Sequence, residues 1–163
     1  MSVETHLEKE YFEDCAVGDR VVTAGRTVTE SDIVWFAQFT GDWNPVHTDA
    51  EFAKGTPWGG RIAHGMMSLV VGLNLLFRDN ALARRVIPKR LVAIVGLEQI
   101  RFAAPVRIGD TLHLDCEVAE TKAIVGKGLV TLQWRIRNQQ EESVITGRLK
   151  VLVERRPAGE PRG

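Results

Sequence analysis

No excess of charge of either sign marks this chain: its 163 residues carry 21 Lys and Arg against 21 Asp and Glu. Nothing in that balance recruits nucleic acid or an anionic membrane, so any partner has to be argued from a site. Cysteine is scarce. The two, Cys15 and Cys116, are too few for a disulfide framework and lack metal-ligand spacing, so no metal site is expected. The opening segment MSVETHLEKEYFED is charged and has no apolar run of the signal-peptide kind, which predicts a cytoplasmic protein. Long hydrophobic runs are missing too. The most apolar stretch, Met66 to Phe77, is about half the length a bilayer crossing needs and is interrupted by Ser68, Gly72 and Asn74. It predicts a buried helix. With no phosphate-cradling glycine loop and no dinucleotide fingerprint, no cofactor is expected.

What is present suits one domain over 1–163, with polar ends at about 1–10 and 155–163 expected to be loose. Residues 11–28 read as an irregular arm and a strand. Thr29, with Asp32 three residues on, resembles a capping box, and Ile33, Phe36, Ala37 and Thr40 then recur at helical spacing. A helix over about Ser31 to Phe39 follows, stopped by Gly41. After a glycine-rich passage, a second helix starts near His64 or Gly65, and its apolar residues predict that it is covered nearly all round.

The second half changes period. Leu91 to Leu97 is one apolar run, whereas Leu112, Leu114, Cys116 and Val118 alternate with polar neighbours, as do Val130 to Ile136 and Ile145 to Val153. These are antiparallel strands with one wet face. A curled antiparallel sheet with a long apolar helix inside it is the α+β arrangement called a hotdog. Lone hotdog units leave sheet edges open, so a homodimer at least is expected.

The stretch GDWNPVHTDAEFA, Gly41 to Ala53, admits two readings. In the plain one, Asp42 and Asn44 make side-chain turns, Pro45 fixes a bend, and His47 with Thr48 or Asp49 caps the small helix AEFAK. In the other, the turn brings the Asp42 carboxylate and the His47 imidazole to one water, which is what adding water to a double bond requires. Hydration of an enoyl thioester also builds charge on the thioester oxygen. Gly65, at the start of the apolar helix, offers a free backbone N–H to that oxygen and no side chain to block it.

Taken with IAHGMM, this stretch resembles the MaoC-like dehydratases, which include R-specific (type 2) enoyl-CoA hydratases. Their pattern, D-x-N-P-x-H followed about eighteen residues later by a His-Gly-Met-like helix start, is met at Asp42, Asn44, Pro45, His47, His64, Gly65 and Met66. The arm from Tyr11 to Ile33 and the later IRFAAPVRIGDTL are similar as well. The resemblance implies a hotdog hydro-lyase that reversibly adds water, in the syn sense, to a trans-2-enoyl-CoA, giving (R)-3-hydroxyacyl-CoA. Asp42 and His47 would hold the water, Asn44 would position them, and the Gly65 amide would polarise the carbonyl.

The alternatives are the active subunit of a 3-hydroxyacyl-carrier-protein dehydratase, a non-catalytic acyl-CoA-binding hotdog, and a thioesterase. Around the core set, Trp43, Trp58, Met66 and Ser68 are candidates for contact with the substrate. His64 is a possible second acid or base or a packing residue. Ser68 and Gly72, four apart, either admit an acyl chain or pack against a strand. Arg84 and Arg85, with Lys89 and Arg90, form a candidate phosphate patch or a solvated loop.

Overall fold

The computed structural model describes residues 9–160. After a short arm come two small strands, β1 (Arg20–Val22) and β2 (Arg26–Thr27), then the helices α1 (Glu30–Thr40), α2 (Pro45–Thr48), α3 (Ala50–Lys54), α4 (Gly65–Asn74) and α5 (Asn80–Ala83). Four long strands complete the chain: β3 (Leu91–Phe102), β4 (Thr111–Ile124), β5 (Lys127–Arg137) and β6 (Ser143–Glu154). All pairings are antiparallel, in the order β1-β4-β5-β6-β3, with β2 also on β4.

The period-two pattern reads directly into the sheet. Leu112, Leu114, Cys116 and Val118 of β4, Val130, Leu132, Trp134 and Ile136 of β5, and Ile145, Leu149, Val151 and Val153 of β6 are all buried. α4 lies against β4 and β5 in the hotdog arrangement. Burial at Cys116 pushes its thiol up to about 12, so it stays protonated as a small core residue.

Local signals hold at α1. Thr29 N donates to Asp32 Oδ2 at 2.8 Å, and Gly41, at φ 78°, closes the helix with its N–H on Ala37 O at 2.8 Å. The strand expected before it is split. β1 and β2 are separated at Gly25, where an added Cβ would lie 2.7 Å from Thr111 and 2.8 Å from His113, so the chain crosses β4 too closely for a side chain.

One expectation needs correction. α4 is not covered all round: Met67, Ser68, Leu69 and Gly72 are buried, but Met66 is 57% and Val70 51% exposed. One sheet covers only one side of a helix. Leu91 to Leu97, one continuous apolar run in the sequence, lies on β3, an edge strand with Val92, Ile94, Val95 and Leu97 all about half exposed.

The described parts of the two ends carry specific contacts. Lys9 N donates to Arg84 O, and Lys9 Nζ reaches Asp19 at 2.6 Å. Arg155 pairs with Glu13 at 3.0 Å and Arg156 with Asp14 at 2.6 Å. Tyr11 lies beneath Arg156, 4.7 Å from its ring centre, and its hydroxyl bonds Glu160. Opposite charges on the two segments, invisible as neighbours in the sequence, make this clasp. The remaining expected tail residues, 1–8 and 161–163, lie outside the described residues.

Candidate active site

Asn44 and Asp49 are both helix caps, as turn chemistry demands. Asn44 Oδ1 accepts from Val46 N at 3.2 Å and starts α2, and Asp49 Oδ1 accepts from Glu51 N and Phe52 N at 2.9 Å and starts α3. The cap on AEFAK is therefore Asp49, with His47 and Thr48 uninvolved. Asn44 also bridges the two candidates. Its N–H donates to Asp42 Oδ1 at 3.3 Å and its carbonyl accepts from His47 N at 2.9 Å.

His47 sits on the single turn of α2, and its Nδ1 lies 2.8 Å from Ile62 O. A carbonyl only accepts, so Nδ1 carries the proton and Nε2 presents a lone pair. Burial pushes the His47 imidazole below its ordinary value, and His64 pushes the same way, against the Ile62 carbonyl and Asp42. The ring is therefore neutral near pH 7 and able to take up a proton.

His64 is 1% exposed, with its Nε2 2.9 Å from Asp42 O and its ring 4.0 Å from that of His47. By the same logic Nε2 donates. Its Nδ1 is buried and has no hydrogen-bond partner among the described residues. One ligand atom from each of Asp42, His47 and His64 lies within 4.8 Å of the other two. Two imidazoles and a carboxylate so placed have the make-up of a cation site, and equally of a site for one water and its protons.

α4 begins at this point without a side-chain cap. Its first internal bond runs from Ser68 N to His64 O, so the amides of Gly65, Met66 and Met67 precede the helical ladder. A Cβ at Gly65 would come within 3.1 Å of the Phe102 ring, which roofs the residue closely. His47, Gly65 and Ser68 line a cavity of about 260 Å³ with Trp58, Ile145 and the Phe102–Val106 segment.

A larger open depression of about 580 Å³ on the sheet lies away from this chemistry. Its charges serve one another: Asp115 takes Arg135 at 3.0 Å and Arg137 at 3.1 Å.

The structure thus gathers Asp42, Asn44, His47, His64, Gly65, Ser68 and Trp58. It does not bring Trp43 or Met66 into the cavity wall; both are more than half exposed. Arg84 and Arg85 are also absent from it. They follow α5, beyond the far end of a helical run from Gly65 to Arg78 that is roughly 20 Å long. Sequence reasoning missed Phe102, Ala103, Ala104 and Ile145. The small residues ahead of Pro105 were the available signal, since they leave room where a strand ends.

A family model for the MaoC like domain matches residues 13–138. The chain belongs to the MaoC-like domain family. Among curated proteins, this MaoC-like chain is 39% identical over 113 residues to a 3-hydroxybutyryl-CoA dehydratase of Methylorubrum extorquens, a match covering 68% of this chain and 64% of that protein. It is 36% identical to an (R)-specific enoyl-CoA hydratase of Rhodospirillum rubrum, over 76% of this chain and 78% of that one. A solved Archaeoglobus structure described as a monoamine oxidase regulatory protein superposes with a TM-score of 0.84 at 36% identity, over 91% of this chain and 97% of that one.

Proposed function

We propose that this chain catalyses the reversible syn hydration of trans-2-enoyl-CoA to (R)-3-hydroxyacyl-CoA. The observation that carries the reading is that a neutral His47 and the uncapped Gly65 amide line one apolar cavity, with the Asp42 carboxylate gathered beside His47. In the hydration direction His47 Nε2 and the Asp42 carboxylate hold a water. Its oxygen bonds to C3 of the substrate while a proton reaches C2, and the pair ends in its starting protonation state. The charge that grows on the thioester oxygen lies against the Gly65 N–H at the positive end of α4. The two relatives, a 3-hydroxybutyryl-CoA dehydratase and an (R)-specific enoyl-CoA hydratase, are named for the same chemistry in opposite directions.

Two copies would join through β3. That strand has an open edge, and Ile94, Val95 and Leu97 of β3 with Met66 and Val70 of α4 are about half exposed, the surface a second copy of the chain would cover. Unpaired cysteines accord with a cytoplasmic protein.

Mixing the protein with crotonyl-CoA tests the reaction: the absorbance of the conjugated enoyl thioester falls, and chiral analysis returns the R product. No fall in absorbance with short, branched or long enoyl-CoA, or with enoyl-carrier-protein, overturns it.

A further inference from the structure

We infer that this chain is limited to short acyl groups, and that Ile136 sets the limit. The inference rests on the enoyl-thioester reading of the site. The cavity runs inward from His47 and Gly65 and reaches Ser68 and Ile145. The next small residue on the same face of α4 is Gly72, one turn deeper, where a channel between helix and sheet would continue.

That space is taken. A Cβ at Gly72 would lie 2.4 Å from Ile136 Cδ1, 2.7 Å from Cγ1 and 3.0 Å from Cγ2. Ile136 is fully buried on β5, and Leu75 and Leu76, which follow on the helical run, are 2% exposed each. Of the two small residues on this face, Ser68 opens onto the cavity and Gly72 receives a core side chain.

The volume agrees with the geometry. A cavity of about 150 Å³ takes up one benzene ring. The 260 Å³ here, part of it the open mouth of the cavity, leaves room for only a short chain beyond the thioester head. One methylene that does not fit an apolar pocket changes selectivity by about tenfold to 200-fold. Longer chains have to displace Ile136, and in a close-packed interior that motion has nowhere to go.

The test is a panel of trans-2-enoyl-CoA substrates of four, six, eight and twelve carbons, with kcat/KM measured for the wild type, Ile136→Val and Ile136→Ala. The wild type should favour four carbons over eight by at least about tenfold. Ile136→Ala should raise the eight-to-four ratio by at least about tenfold while four-carbon turnover persists. Ile136→Val, which removes a single methyl, should raise the six-to-four ratio severalfold and carries the test alone if the alanine variant does not fold.

A wild type that turns over eight and twelve carbons as well as four overturns the limit and leaves the hydratase reading standing. An unchanged ratio in folded Ile136 variants overturns the role of Ile136. If no enoyl-CoA of any length is hydrated, the hydratase reading falls. Calorimetric binding of butanoyl-CoA against octanoyl-CoA then decides the depth: equal affinity in the wild type refutes the limit, and tighter butanoyl binding that is relaxed by Ile136→Val upholds it.

Discussion

Gly72→Ala is the most direct probe of how α4 sits on the sheet. The new methyl would meet three atoms of Ile136 at 2.4, 2.7 and 3.0 Å, where carbon atoms in contact prefer about 3.5–4.0 Å. All three belong to a β-branched residue packed on β5 and fully buried, so the ring of neighbours cannot simply rotate away. Overpacking of this kind costs about 1–3 kcal/mol. Against it, alanine is better than glycine in a helix interior by about 0.5–1 kcal/mol. With an approach as close as 2.4 Å the cost falls in the upper part of that range, about 2–3 kcal/mol, and the net is a loss of about 1–2.5 kcal/mol, or a drop in Tm of roughly 2–10 °C for a chain of this size.

The cycle with Ile136→Ala gives the sharper number. Once Ile136 is truncated, Gly72→Ala meets no branched side chain and should stabilise by about 0.5–1 kcal/mol, for a coupling of about 2 kcal/mol between the two positions. Urea unfolding followed by tryptophan fluorescence reads this well, because Trp134 is buried two residues from Ile136. A wild-type background in which Gly72→Ala leaves the midpoint unchanged or raises it refutes the packing argument, and with it the plug at the end of the cavity.

Other outcomes follow from the site and the clasp. Asp42→Asn should cut kcat for crotonyl-CoA hydration by about 10²–10⁴ with the fold intact by circular dichroism. Because burial holds His47 below the ordinary histidine value of about 6.5, its working neutral form persists under that pH, so the acid limb of kcat/KM should have its midpoint below 6.5. A midpoint at or above it refutes the neutral-base assignment.

At Asp14, burial pushes the carboxyl up, but the Tyr11 amide and Arg156 outweigh it and hold the group below the usual carboxylate range. A lowered folded pKa stabilises above the unfolded value of about 3.9 and is lost as pH falls through the folded one. Arg156→Ala should therefore destabilise at pH 7 and converge on the wild type in acid, by thermal unfolding at each pH. If two copies pair through β3 as proposed, light scattering should find the wild type a dimer and Leu97→Lys, on the open face of that strand, a monomer.

Much of this molecule was legible from local pattern. Strict alternation at Leu112 to Val118 and Val130 to Ile136 gave two strands with the correct inner face, since side-chain direction in a strand depends only on parity. The Thr29 and Gly41 signals likewise act within a few residues. Three things were out of reach because they depend on distant chain. Whether Gly72 served a ligand or a neighbour turned on Ile136, 64 positions away. The bare face of β3 reads the same as a buried strand, because apolar sequence states a need for cover without naming its source. The role of His64 was open for a similar reason: only the fold shows its Nε2 bound to the Asp42 carbonyl, tying the carboxylate-bearing turn to the start of α4.

The clasp at the chain ends has a practical consequence. This chain has a single tyrosine, and Tyr11 is that residue, set between Arg90 and Arg156 with its hydroxyl on Glu160. Burial raises its phenol, and Glu160 raises it further. Alkaline difference spectra at the phenolate band thus record one group at one place, the junction of the first and last described segments. Any tag, fusion or truncation placed after Glu154 can be judged optically, by whether this one phenol ionises late, as in the clasped chain, or early, as in a free one.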